Sequence, residues 1–258
     1  MSDRNSAANS AKERIVGAAP AGAGDEVAAA DAVREMFSSI APRYDLLNHV
    51  LSMNVDRLWW NRTANTFTEI LRTPGVEVLD LCCGTGDMAF ALYRRARQPG
   101  IKLFGADFSH AMLVRAQEKS GSRNNIRWIE ADALNLPFSS GNFQLVTSAF
   151  GFRNLANYDR GLAEIYRVLA LGGEVGILDF GEPKGLLGQF YRVYFRRVLP
   201  AIGTLISGVR GPYSYLPASV LRFPAPEEML QRMRAAGFSQ VTWTPYTFGI
   251  AGLYRGKK

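Results

Sequence analysis

The stretch VEVLDLCCGTGDMAF, residues 76–90, decides how the rest of the chain is read. A short apolar run carries an acid, Asp80, and passes through Gly84-Thr85-Gly86-Asp87 into MAFALYRRAR (88–97). The pattern is that of a strand turning into a helix. Glycines in the turn let backbone approach a ligand closely, and the helix start offers unpaired N–H groups. Working outward, the same alternation repeats. IKLFGAD (101–107) reads as a strand followed by the helix SHAMLVRAQEKS, capped by Ser109. IRWIEAD (126–132) and FQLVTSAF (143–150) are further strands, and the helix NYDRGLAEIYRVL (157–169) leads into the strand EVGILDF (174–180). Strands alternating with helices predict a parallel sheet covered on both faces, hence an α/β fold. After the helix PEEMLQRMRAAGF, the strands QVTWTPY (240–246) and FGIAGLYRGK (248–257) almost touch. A join that short permits only an antiparallel hairpin, so the seven-stranded, mostly parallel sheet is expected to end in a reversed strand.

Acids recur at the strand ends. Asp107 closes the second strand, where a carboxylate can accept both hydroxyls of a ribose. Asp132 closes the third, near where an adenine would lie. Gly84 and Gly86 alone are a weak signal, since a tight turn with aspartates as helix caps reads the same way. Gly84-Thr85-Gly86-Asp87-Met88-Ala89 also fits the G-x-G-x-x-A dinucleotide fingerprint. A pyrophosphate, however, gains from cationic neighbours, whereas Asp80 and Asp87 flank this loop. Two flanking acids suit a cationic ligand, and S-adenosylmethionine carries a sulfonium and an ammonium.

The chain has 258 residues, 47% hydrophobic and 21% charged, a globular composition. Net charge is +7 with pI about 9.6, which favours anionic partners. No compact Lys/Arg run or base-flipping segment points to nucleic acid. No run of about 18 apolar residues is present to span a bilayer, and MSDRNSAANSAKER has no apolar signal core, so a cytoplasmic protein is expected. Cys82 and Cys83 are adjacent and diverge, so no bridge is expected. With only His49 and His110 beside them, no metal site is expected either. Residues 1–29, rich in Ala, Ser and Gly, read as a disordered tail, and 30–258 as a single domain. Within it, 30–70 form a helical cap containing Trp59 and Trp60, and 184–222 form a helical insertion, or lid. In that insertion Arg192 and Arg196 share a face beside Phe195, Val198, Leu199 and Ile202. A lid of this kind can cover an apolar tail or touch an anionic membrane surface.

Several longer stretches carry a resemblance. The D-x-x-x-G-x-G loop, EADALNLPF (130–138) and the final hairpin resemble a Rossmann-like class I S-adenosylmethionine-dependent methyltransferase. IAPRYDLLNHVLSMNVDRLWW (40–60), VLDLCCGTGD (78–87), SAFGFRNL (148–155) and YRVLALGGEVGILDF (166–180) resemble the UbiE/MenG/COQ5 family, from about Val33 to Lys257. The resemblance implies C-methylation of a prenylated quinol, demethylmenaquinol first and the methoxy-benzoquinol precursor of ubiquinone second. A methyltransferase fold kept only as a binding module is the non-enzymatic alternative. The resemblance further implies cofactor contacts at Thr85, Asp107, Asp132, Ala133 and Ser148, together with the loop's Asp80, Gly84 and Gly86. Arg153 and Asn154 are implied to bind a quinol oxygen, and Tyr44 or Asp45 to face the ring or take its proton. It is compatible with a homodimer and with peripheral attachment to the inner face of the membrane. The chain departs from the family pattern in having Asp56 where His is usual and Cys82 where Gly is frequent. It also has RVLALGG for R-V-x-K-P-G-G and Asp179-Phe180-Gly181 for E-x-S.

Overall fold

The computed structural model describes residues 15–20, 22–44, 54–96, 100–121, 125–181, 183 and 212–258. Among these, seven strands form one sheet: β1 (Glu77–Leu81), β2 (Lys102–Asp107), β3 (Ile126–Glu130), β4 (Phe143–Ala149), β5 (Leu169–Phe180), β6 (Ser239–Tyr246) and β7 (Ala251–Lys257). Their order is β3-β2-β1-β4-β5-β7-β6. The pairs β1–β2, β1–β4, β2–β3 and β4–β5 are parallel. The helices are α1 (Glu26–Ile40), α2 (Val55–Thr66), α3 (Thr68–Leu71), α4 (Asp87–Ala96), α5 (His110–Ser120), α6 (Tyr158–Val168), α7 (Pro212–Arg222) and α8 (Pro226–Ala235).

Alternation along β1 divides the core. Val78 joins Trp59, Phe67, Leu92 and Leu103 on one face, and Leu79 and Leu81 join Phe143, Leu162, Val168 and Met233 on the other. Side chains this deeply buried contribute about 1.5–3 kcal/mol each, so both helical layers are firmly held. From β1 the chain builds outward to β2 and β3, then returns to lay β4 against the other side of β1. The carboxyl ends of β1 and β4 therefore flank the point where the winding reverses, which is where open α/β sheets bind ligands.

The hairpin formed as expected, but the reversed strand is not the edge. β7 runs antiparallel to both β5 and β6, and β6 lies outside it. Burial explains the choice: Ala251, Leu253 and Tyr254 of β7 are buried, whereas β6 is mostly exposed. The tail boundary at residue 29 also needs correction, because the described part of 1–29 is packed. Gly17 N–H donates to the Ala156 carbonyl at 2.9 Å and Ala18 N–H to Leu155 at 2.7 Å. Asp25 caps α1, and the buried Glu26 pairs with Arg160 at 3.1 Å and accepts from Asn157 at 2.8 Å. Pro42 ends α1 as expected, in a 3-10 turn over Ala41–Arg43. Ser109 occupies the cap position of α5 without capping it, because its hydroxyl lies 3.0 Å from that of Ser38 on α1. Asp45, residues 1–14 and the arginines of 184–211 lie outside the described residues. The end of the expected lid, 212–222, is α7, which packs against α1 and the turn Phe152–Asn154. No helix among the described residues is long and apolar enough to cross a membrane.

Candidate active site

The glycine loop is held from below by its neighbours. Gly84 (φ +53°) and Gly86 (φ +90°) are left-handed, and a Cβ on Gly86 would come within 2.5 Å of the Trp128 ring. Trp128 lies under the loop, anchored by its indole N–H to Ser120 at 3.0 Å. Asp107 ties loop to sheet: Oδ2 accepts from Gly84 N–H at 2.8 Å and Oδ1 from Ser109 N–H at 2.9 Å. Asp80 pairs in register with Thr147 on β4, whose hydroxyl donates to it at 2.8 Å. Burial pushes the Asp80 carboxyl up to about 7 and the Asp107 carboxyl up to about 6. Between them lies Cys82, itself left-handed at φ +53° and fitted against Gly151, where a Cβ would come within 2.3 Å of the Cys82 Cβ. Its thiol is pushed well above the usual range by burial, reinforced by Asp107, Asp80 and Asp132. Both cysteines are free thiols.

The other expected contacts divide. Ser148 is buried on β4 beside the Cys82 thiol. Tyr44 reaches the loop, its Cε1 3.8 Å from where a Gly84 Cβ would sit. Asp132 is exposed and accepts from Leu134 N–H at 2.9 Å, closing a turn, while Ala133 belongs to the core with Leu136. Thr85 is buried, and its hydroxyl accepts from Lys119 at 3.0 Å. Lys119 also pairs with Asp87 at 2.8 Å. Of the two acids expected to flank the loop, Asp87 is matched by the Lys119 cation and burial raises the Asp80 carboxyl toward its neutral form, so the negative charge at the loop is smaller than the sequence suggests. Asp80 Oδ2 and Ser148 Oγ are buried with no hydrogen-bond partner among the described residues. Such atoms ordinarily have partners, so the cradle fits a polar ligand carrying positive charge.

A second cluster follows β4. Arg153 is almost fully buried (4% exposed) and faces Asp179 (0% exposed) at 3.0 Å. Asp179 also accepts Arg153 N–H at 3.1 Å and Phe180 N–H at 2.8 Å. Burial raises the Asp179 carboxyl, with Arg153 opposing the shift. Arg153 Nη1 donates further to the Phe150 carbonyl, and its guanidinium lies 5.1 Å from the Phe180 ring centre. Nε of the same group is buried with no partner among the described residues. Phe150, Phe180 and Trp59 form an aromatic wall, with ring centres 4.6–6.2 Å apart. Asn154, in the same turn, accepts the Tyr215 hydroxyl from α7 at 3.1 Å. Sequence reading missed Tyr215, Trp128 and Lys119 because each acts across a long sequence separation. Gly86 and Gly105, which both face Trp128, were the one available hint of the ring.

A family model described as the ubiE/COQ5 methyltransferase family matches residues 25–258. The chain belongs to that family. It is an S-adenosylmethionine-dependent methyltransferase, and the cradle's donors and acceptors suit that cofactor. Among relatives, a demethylmenaquinone methyltransferase of Deinococcus radiodurans is 50% identical over 237 residues, covering 91% of this chain and 96% of that protein. Another of that name from Thermus thermophilus is 51% identical over 225 residues, 86% of this chain and all (100%) of that protein. A solved S-adenosylmethionine-dependent methyltransferase from Thermotoga maritima, described as a possible histamine N-methyltransferase, shares the fold at TM-score 0.59 and 20% identity. It covers 87% of this chain and 99% of that one. At that identity the likeness speaks for the fold and leaves the substrate to the site. Asp56 is buried and accepts from Arg57 N–H at 2.7 Å. β5 begins earlier than expected and runs from Leu169 through Gly172-Gly173.

Proposed function

We propose that the chain methylates a ring carbon of a prenylated naphthoquinol of the demethylmenaquinol type. The half-identical relatives that carry this name support it. The observation that carries it is Arg153: a buried guanidinium fixed through Nη1 to Asp179, with Nε uncommitted among the described residues, beside an aromatic wall. An aromatic ring bearing an oxygen matches both features. Bound S-adenosylmethionine supplies an electrophilic methyl group on its sulfonium. Toward it, Asp107 would hold the ribose, Asp132 the adenine amine with Ala133 alongside, and Ser148 a cleft-facing polar edge. Gly84, Gly86, Thr85 and Asp80 would form the bed for the methionine end.

On the acceptor side, Arg153 and Asn154 would bind the quinol oxygen and stabilise it as a phenolate, which makes the ring carbon a nucleophile. Arginine stays protonated at neutral pH and cannot take the ring proton. Asp45 is assigned that proton, directly or through water, with Tyr44, beside Gly84, facing the ring. The aromatic wall aligns the ring and excludes water. The prenyl tail implies work at a membrane surface, and the +7 charge favours an anionic one on its inner, cytoplasmic face.

Purified protein given labelled cofactor is expected to methylate demethylmenaquinol in preference to the methoxy-benzoquinol. Preferential labelling of the benzoquinol would replace the proposed acceptor. Arg153→Lys keeps the charge beside Asp179 but loses the planar fork. It should bind S-adenosylhomocysteine normally while losing about 100-fold in turnover, and unchanged turnover would remove Arg153 from the mechanism.

A further inference from the structure

Tyr215 stands 61 residues from Asn154 in sequence, yet its hydroxyl donates to Asn154 Oδ1 at 3.1 Å. The phenol is half-buried, and burial pushes its pKa up to about 12, opposed by Arg153 and Arg222. It is therefore a neutral donor across the working pH range. An amide side chain has one accepting and one donating end. With Oδ1 held by Tyr215, the amide's orientation is fixed and its NH2 group is turned toward other partners; Nδ2 makes no hydrogen bond among the described residues. Arg153, one residue earlier in the same 3-10 turn, is arranged in parallel. Nη1 is spent on Asp179 and on the Phe150 carbonyl, and Nε has no partner among the described residues. One turn thus carries two uncommitted donors, each fixed through its other atoms by a distant element: Asp179 of β5 for Arg153, Tyr215 of α7 for Asn154.

From this arrangement we infer that Tyr215 is a positioning residue that makes Asn154 a hydrogen-bond donor to an aryl oxyanion. The inference rests on the acceptor reading above. It adds that the site prefers the ionised oxygen to the hydroxyl, because a fixed NH2 group and the Arg153 guanidinium would both donate to the aryl oxygen, and such bonds are worth more to an anion than to a neutral hydroxyl. Without the Tyr215 hydroxyl the amide can turn over and present its oxygen, which repels a phenolate.

The test reads ionisation without turnover. 1-Naphthol is titrated by its phenolate absorbance in the presence of protein loaded with S-adenosylhomocysteine. The parent protein should bind naphtholate more tightly than naphthol, lowering the probe's apparent pKa. Tyr215→Phe keeps the ring and should lose most of that shift, with thermal stability and S-adenosylhomocysteine affinity retained. No shift with the parent protein, an equal shift in the variant, or loss of stability together with cofactor affinity would overturn the inference. Kinetics on the methylated quinol supply a second test. Tyr215→Phe should lower kcat about 10-fold, and Asn154→Ala about 100-fold, with little change in KM for the cofactor. Combining them should be no worse than Asn154→Ala alone, as expected for a residue acting through another. Multiplying losses would place Tyr215 outside this role. Failure of the acceptor reading shows instead as a parent protein that methylates neither quinol, and the naphthol titration still decides Tyr215.

Discussion

On the β1–β2 side of the site, carboxylates hold backbone: Asp107 takes the N–H groups of Gly84 and Ser109, and the loop keeps its shape through left-handed glycines over Trp128. On the β4–β5 side, a carboxylate holds a cation, since Asp179 grips both the guanidinium and the backbone of Arg153. The first arrangement tolerates a half-protonated acid, because neutral N–H groups remain partnered. The second does not, because an unpaired buried arginine would be left behind. A cradle for a tightly built cofactor can be made of backbone, whereas stabilising charge that develops on an acceptor calls for a fixed side-chain cation.

The contrast can be broken most forcefully at Asp179. Asp179→Ala strands the Arg153 charge and should cost about 3–5 kcal/mol in chemical denaturation. The protein that remains folded should still bind S-adenosylhomocysteine. Loss of that binding would mean the two sides form one unit. Gly86→Ala tests the other side. Its left-handed backbone and the overlap with Trp128 should cost about 1–3 kcal/mol and weaken cofactor binding measured by calorimetry. Binding of an aryl oxygen should be unaffected. The smallest effect is expected at Lys119, whose pair with Asp87 is partly exposed. Lys119→Ala should change stability by no more than about 1 kcal/mol, and the change should shrink in high salt.

The cofactor half was legible because its signals are local. A strand, a G-x-G turn and an acid ending the next strand fall within one β-α-β run, and the alternation of segments carried the parallel order and the terminal hairpin. The placing of β7 inside β6 turned on relative burial, which the pattern of QVTWTPY against FGIAGLYRGK holds only weakly. Asp107 at the end of the second strand reads as a ribose acceptor, and its bonds to Gly84 and Ser109 are matters of backbone geometry that residue types do not encode. The bond from Lys119 to Thr85 spans 34 residues, a separation that no local spacing reports. The acceptor half depends on pairs 26 and 61 residues apart, Arg153 with Asp179 and Asn154 with Tyr215. The family resemblance pointed to Arg153 and Asn154, yet no spacing rule joins either to its anchor. Tyr215 in particular was read as part of a lid.

The sunken carboxyls beside the glycine loop bear on how the ligand arrives. Asp80 and Asp107 titrate near 7 and 6, above the 3.8 of a free aspartate, because burial disfavours their ionised forms. Between about pH 4 and 7 the folded chain holds more protons than the unfolded one, so these two groups make the ligand-free fold weaker as the medium grows more alkaline. A cationic guest reverses that preference and expels hydrogen ions to the buffer. Uptake of S-adenosylmethionine should then tighten from pH 5.5 to 7.5, with calorimetric heats that vary with the ionisation enthalpy of the buffer chosen.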